Sequence, residues 1–229
     1  MADINYNKLY KIQDKVLSVV FKTENIFYLT GGTCISRFYK AKRYSDDLDF
    51  FTDNSPRFSF ALRKIKIELS KIFEIKTDVN AKDFNRIIID NILVVDFVNE
   101  RTERLKDVVI TKENYLIDNI ENILSNKLTA VICRDNPKDI FDIYLIWKYY
   151  KFNWLEIIEF THKKLHFDDE ELIIRLKTFP VESIKGIKLI DKNFLNNFEK
   201  EYQLLVNSII NYKTKNLNIP KNNKIDLKL

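Results

Sequence analysis

Two aspartates one residue apart, Asp47 and Asp49, lie in the stretch Ser45-Asp46-Asp47-Leu48-Asp49-Phe50-Phe51, and no other part of the sequence is better suited to chemistry. In a strand, side chains i and i+2 share a face, so both carboxylates point one way while Leu48 and Phe50 point into a core. Their Cα atoms would then lie about 6.5 Å apart, close enough to converge on bound cations. The competing reading is a solvated acidic turn, since Ser45, Asp46, Asp53 and Asn54 are also polar. The packing character of Leu48, Phe50 and Phe51 favours a metal site on a strand. Upstream, two of the chain's three glycines, Gly31 and Gly32, close the apolar run Ile26-Phe27-Tyr28-Leu29 and precede Thr33. Glycine lets a strand end tightly or lets backbone N–H groups approach a ligand, so a phosphate-cradling turn is expected there.

Further charged residues are placed to join these. Asp96 is the one acid in Ile-Leu-Val-Val-Asp-Phe-Val, a run apolar on both faces. A carboxylate in a strand covered on both sides needs a cation or hydrogen bonds, which makes Asp96 a third metal ligand, a base, or the partner of a nearby arginine or backbone N–H. Lys127 and Arg134, seven residues apart, would return to one helix face and lean towards a shared anion. Asp139 and Asp142 share a face of the next helix, where a purely structural role competes: Asp139 suits the first turn, and Lys138 with Asp142 has i,i+4 ion-pair spacing.

The elements that must position these residues follow from periodicity. A helix is expected over Tyr6–Lys22, a strand over Ile26–Thr30, a short helix over Thr33–Ala41 and a strand over Asp47–Thr52. After Pro56 come a helix over Phe58–Phe73 and a strand over Glu74–Val79. Strands Asn85–Ile89 and Ile92–Val98 then flank the turn Asp90-Asn91, whose residues tolerate positive φ. A short strand at Val108–Ile110 precedes helices over Asp118–Cys133, Pro137–Tyr150 with Asn136 as its cap, Trp154–Leu165, Asp168–Thr178 and Lys192–Tyr212. The expected class is α+β: a core over residues 1–115, a helical bundle over 116–215 that contributes Lys, Arg and Asp to the site, and a flexible tail over 216–229.

The 229 residues are 45% hydrophobic and 31% charged, which is the balance of a globular protein with a sizeable core. No apolar run can span a bilayer and the polar start is not a signal peptide, so a cytoplasmic protein without membrane contact is expected. Cys34 and Cys133, each among apolar neighbours, are expected to be buried thiols, too few for a disulfide framework or zinc site. The net charge of +5 permits a polyanionic partner.

Between about Tyr28 and Trp147 the chain resembles the AbiEii/AbiGii nucleotidyltransferase toxins of the DNA polymerase β-like superfamily. The resemblance rests on Gly31-Gly32-Thr33, on Arg43-Tyr44-Ser45-Asp46-Asp47-Leu48-Asp49-Phe50-Phe51, on Val95-Asp96-Phe97, and on Lys127-Leu128-Thr129-Ala130, Arg134 and Lys138-Asp139-Ile140-Phe141-Asp142. Lys138 stands where the family usually has Arg. The resemblance implies a polymerase-β-like mixed sheet flanked by helices. In it Asp47, Asp49 and Asp96 would bind Mg²⁺ or Mn²⁺, with Asp96 alternatively the base. Gly31, Gly32, Thr33, Arg43 and Ser45 would hold the NTP, Lys127 and Arg134 would neutralise it, and Asp139 and Asp142 would fix Lys127 or the acceptor. It further implies transfer of a nucleotide to RNA, with tRNA ends as acceptor, release of pyrophosphate, and a cognate antitoxin. A small-molecule or protein acceptor, or a catalytically silent binding module, are the alternatives.

Overall fold

The computed structural model describes residues 4–217. Helix α1, Tyr6–Thr23, starts where the Asn5 side chain accepts from the Lys8 N–H, and it buries Leu9, Ile12, Val16, Leu17 and Val20 at helical spacing. Strand β1, Tyr28–Thr30, runs directly into a short helix, α2, Gly31–Cys34, which continues through a π turn over Ile35–Tyr39. Strand β2, Leu48–Asp53, helix α3, Phe58–Ser70, and strands β3, Ile75–Asn80, β4, Phe84–Ile89, and β5, Leu93–Glu100, follow in order. Short strands β6, Val109–Ile110, and β7, Leu116–Ile117, lead to helices α4, Ile120–Cys133, α5, Pro137–Tyr149, α6, Trp154–Lys164, α7, Asp169–Thr178, and α8, Phe198–Leu217. A 3₁₀ turn, Val181–Gly186, precedes α8.

The seven strands form one mixed sheet in the order β3-β4-β5-β2-β1-β7-β6. β2 lies at its centre, antiparallel to β1 and parallel to β5. The α+β class with a helical C-terminal part is therefore observed. Leu48, Phe50, Val95 and Phe97 point into the core, with the Phe50 and Phe97 rings stacked at 5.3 Å. Alternation then turns Asp49 and Asp96 to the opposite face. The sheet extends past Tyr115 through β7, and one hydrophobic core joins it to the helices that follow.

Several sequence expectations change. β5 is fully buried on one face only, its Val94, Asp96 and Val98 remaining half-buried. The β4–β5 turn is one residue longer than two: Ile89 pairs with Leu93, and Ile92 stays in the loop with Asp90 at φ 50° and Asn91 at φ 54°. That register sets Arg86 opposite Asp96. Cys34 is buried but Cys133, at the end of α4, is exposed. The last helix begins at Phe198, after a series of turns, rather than at Lys192. The expected tail over 216–229 lies outside the described residues beyond Leu217. Among the described residues no helix is long and apolar enough to cross a membrane.

Candidate active site

Asp49 stands at the middle of the sheet, its Cα paired with Thr30 of β1 on one side and Asp96 of β5 on the other. Asp47 lies just before β2, its backbone carbonyl accepting from the Thr33 hydroxyl. Burial, followed by the nearby Asp47 carboxylate and then Asp96, pushes the Asp49 carboxyl up to about 7. Burial also raises Asp47. Neither side chain has a cationic partner within ion-pair distance among the described residues.

Every other acid at this place is paired. Asp96 accepts from Arg86 Nε and a terminal guanidinium nitrogen at 2.7 Å each. Asp46 accepts from Lys138 at 2.7 Å and from the Tyr6 hydroxyl at 2.8 Å; these bonds outweigh its burial and hold it below the usual carboxylate range. Asp139 accepts from Lys127 and Arg134, at 2.8 Å from each. Asp142 accepts from Arg43 through two nitrogens, at 2.8 and 2.7 Å, and pairs with Lys127 at 2.8 Å. Burial alone would raise Asp139 and Asp142, but these cations hold both below the ordinary range.

The glycine pair serves two different ends. Gly31 takes a φ of 72°, and a Cβ there would collide with the Asp49 carboxylate. Gly32 leaves room for the Arg43 guanidinium, which a Cβ would strike. Arg43, expected on the nucleotide, is only 4% exposed and is committed to Asp142 and the Tyr44 carbonyl. Ser45 and Thr33 are likewise buried, Ser45 held through its backbone by Gln13 and Tyr10. Lys127 is buried between its two aspartates, whereas the Arg134 side chain stays 58% exposed. Arg134 leaves the helix in extended backbone and still meets Lys127 at Asp139. The i,i+4 pair of Lys138 with Asp142 does not form, because Asp142 faces the core and Lys138 reaches Asp46.

Asp47 and Asp49 give two adjacent oxygen donors without a cation of their own, which fits a hard divalent ion. Asp96 is turned to Arg86, and among the described residues no group of three His, Cys, Asp or Glu side chains is arranged to hold a metal. A cavity of about 220 Å³ opens beside Asp49, lined by Gly31, Asn126, Lys127, Arg134 and Asp139.

Residues 17–215 match the family described as "Nucleotidyl transferase AbiEii toxin, Type IV TA system". The chain belongs to the AbiEii nucleotidyltransferase toxin family. This AbiEii chain is similar to the uncharacterized protein aq_aa25 of Aquifex aeolicus (strain VF5), 27% identical over 176 residues, 73% of this chain and 81% of that protein. Its fold is shared with JHP933 of Helicobacter pylori, at TM-score 0.59 and 18% identity over 95% of this chain and 98% of that one. It is also shared with MenT4, a nucleotidyltransferase toxin of Mycobacterium tuberculosis H37Rv, at TM-score 0.54 and 13% identity over 91% and 86%. Nucleotidyltransferases generally use an NTP and a divalent metal.

Arg86, which holds Asp96, and Tyr6, which donates to Asp46, were not among the site residues expected from the sequence. The signal for Arg86 was its place in the β4–β5 hairpin, hidden by the one-residue difference in turn length.

Proposed function

We propose that this AbiEii chain is a Mg²⁺-dependent toxin of the cytoplasm that transfers a nucleotide from an NTP to an RNA acceptor, tRNA ends included, with release of pyrophosphate. The observation that carries this reading is the unpaired carboxylate pair Asp47 and Asp49, in a neighbourhood where Asp46, Asp96, Asp139 and Asp142 each have a cation. Asp47 and Asp49 would hold the divalent ion, which when bound supplies positive charge for the triphosphate and its departing pyrophosphate. Arg134 reaches over the cavity beside Asp49 and meets phosphate oxygens, with Asp139 and Lys127 fixing its fork. Gly31 keeps the start of α2 clear of the Asp49 carboxylate. Asp96, one strand away and oriented by Arg86, accepts the proton of the attacking hydroxyl through a lone pair that Arg86 leaves open. The cognate antitoxin of this type IV system counteracts the activity.

The test incubates purified protein with Mg²⁺, each α-labelled NTP in turn and total bacterial RNA, followed by a denaturing gel. Label on a tRNA-sized band is expected, and Asp47→Ala/Asp49→Ala should lower transfer at least about 10³-fold while the protein stays folded. Label in a low-molecular-weight product would move the acceptor to a small molecule. A double variant as active as wild type would remove the pair from the reaction.

A further inference from the structure

The cavity of about 220 Å³ beside Asp49 lies between the sheet and α4, and its two ends differ. Thr30 pairs with Asp49 and Tyr28 with Phe51, so Gly31 and Phe51 fall on opposite sides of Asp49 along the sheet. Arg134 and Asp139 make the site charged, whereas half-buried Phe51 offers it an aromatic wall. From α4, Asn126 enters the cavity eight residues before Arg134 (134 − 126), about 12 Å away along the helix axis. That is the scale on which a nucleotide separates its phosphates from its base.

Asn126 is held from outside the cavity. Its Oδ1 accepts from the Lys164 ammonium at the end of α6, 38 residues away in sequence. Lys164 in turn lies among Asp53, Glu100 and Asp118, with its ammonium 4.9 Å from the Phe160 ring centre. Asp53 is two residues beyond Phe51 on β2, so this contact draws Asn126 to the Phe51 side. An ammonium can only donate, and it therefore fixes which way the amide points. The oxygen is turned to Lys164, and among the described residues the Asn126 NH₂ has no acceptor. Asparagine is also a poor residue for a helix interior, and one kept there signals another use of it.

We infer that the base of the NTP lies at the Phe51 end of this cavity and that Asn126 selects it, donating from Nδ2 to the exocyclic oxygen of uracil or guanine. The inference rests on the function proposed above and names the class of nucleotide it takes. Cytosine and adenine carry an NH₂ group at the corresponding position, so two donors would face each other and neither would be satisfied. Phe51 packs on the base, which any nucleobase allows, and the choice falls to the amide. Arg134 keeps the phosphates at the other end.

The test measures competition of each NTP against a fluorescent nucleotide analogue, with Mg²⁺ and without RNA, so that selection is read apart from transfer. Within the pair that binds tighter, UTP with CTP or GTP with ATP, the keto base should lead by about 10-fold. Which pair leads distinguishes a pyrimidine from a purine. Asn126→Asp keeps a partner for Lys164 but turns an acceptor towards the base, and the order within the pair should reverse. Asn126→Ala should abolish the preference, and Lys164→Met, which frees the amide to rotate, should cut it below about threefold. Inorganic tripolyphosphate should compete equally in all of them, because the phosphate end is untouched. Equal binding of keto and amino bases by wild type would overturn the inference, as would an unchanged order in Asn126→Asp or Asn126→Ala that still binds tripolyphosphate. A preference that Asn126→Asp reverses, in a protein that labels no RNA, would refute the acceptor in the proposed function and leave Asn126 in its role. RNA labelled with the same nucleotide by wild type and Asn126→Asp would refute the role of Asn126 alone, and a wild type that binds no NTP would overturn both.

Discussion

Asp47 and Asp49 on one side, and Asp139 and Asp142 on the other, are carboxylate pairs at one site that the protein treats in opposite ways. The second pair is enclosed by Lys127, Arg43 and Arg134, and its proton affinity is held down. The first has no such cation, and its proton affinity is raised. The pairs also differ in access, Asp139 and Asp142 being buried while Asp47 is exposed and Asp49 half-buried, so the cations go to the pair that solvent cannot reach. The enclosed pair ties α4 and α5 to the approach of β2; the open pair is left to bind what arrives from solution. Breaking either should therefore show in a different measurement.

The largest stability effect should come from the enclosed side. Asp142→Ala leaves Arg43 and Lys127 buried with one partner fewer, and an unfolding free energy lower by about 3–5 kcal/mol is expected in denaturant titration. A loss below about 1 kcal/mol would mean that the network is not what joins the two parts.

On the open side the sign reverses. Asp49 titrates near 7 in the folded protein and about 4 when unfolded, so between these values the native state holds more protons. Its contribution to stability is therefore lost as pH rises through that window, whereas that of Asp139 and Asp142 is lost as pH falls below about 4. Asp49→Asn should stabilise the metal-free protein by about 2–4 kcal/mol at pH 8 and by almost nothing below pH 4. Thermal melts across pH check this. Adding Mg²⁺ should flatten the wild-type decline and leave Asp49→Asn unchanged, and a Mg²⁺ response equal in both would separate the ion from Asp49.

The smallest effect belongs to Lys138, which pairs with Asp46 at the border of the two regions. Lys138→Arg should change stability by less than about 1 kcal/mol, since that pair is partly exposed. A larger change in a chemical melt would place Lys138 within the enclosed network.

Much of this was legible in the chain. The place of Asp49 between Leu48 and Phe50 fixes the face its side chain takes, because strand alternation is local, and Asp47 enters from just before the strand. The Asn136 cap and Pro137 at the start of α5 are local for the same reason. The roles of Arg43 and Gly32 were not: both depend on Asp142, 99 residues after Arg43, arriving from another helix to take the guanidinium over Gly32. Nor was the pairing of Arg86 with Asp96, which a single extra residue in a turn created. The sequence by itself determined the elements, the acids and their faces, because backbone geometry sets these over a few residues. Only the tertiary structure decided which acids received a cation. An ion pair depends on distances between segments far apart in the chain, and those exist only once the core has packed.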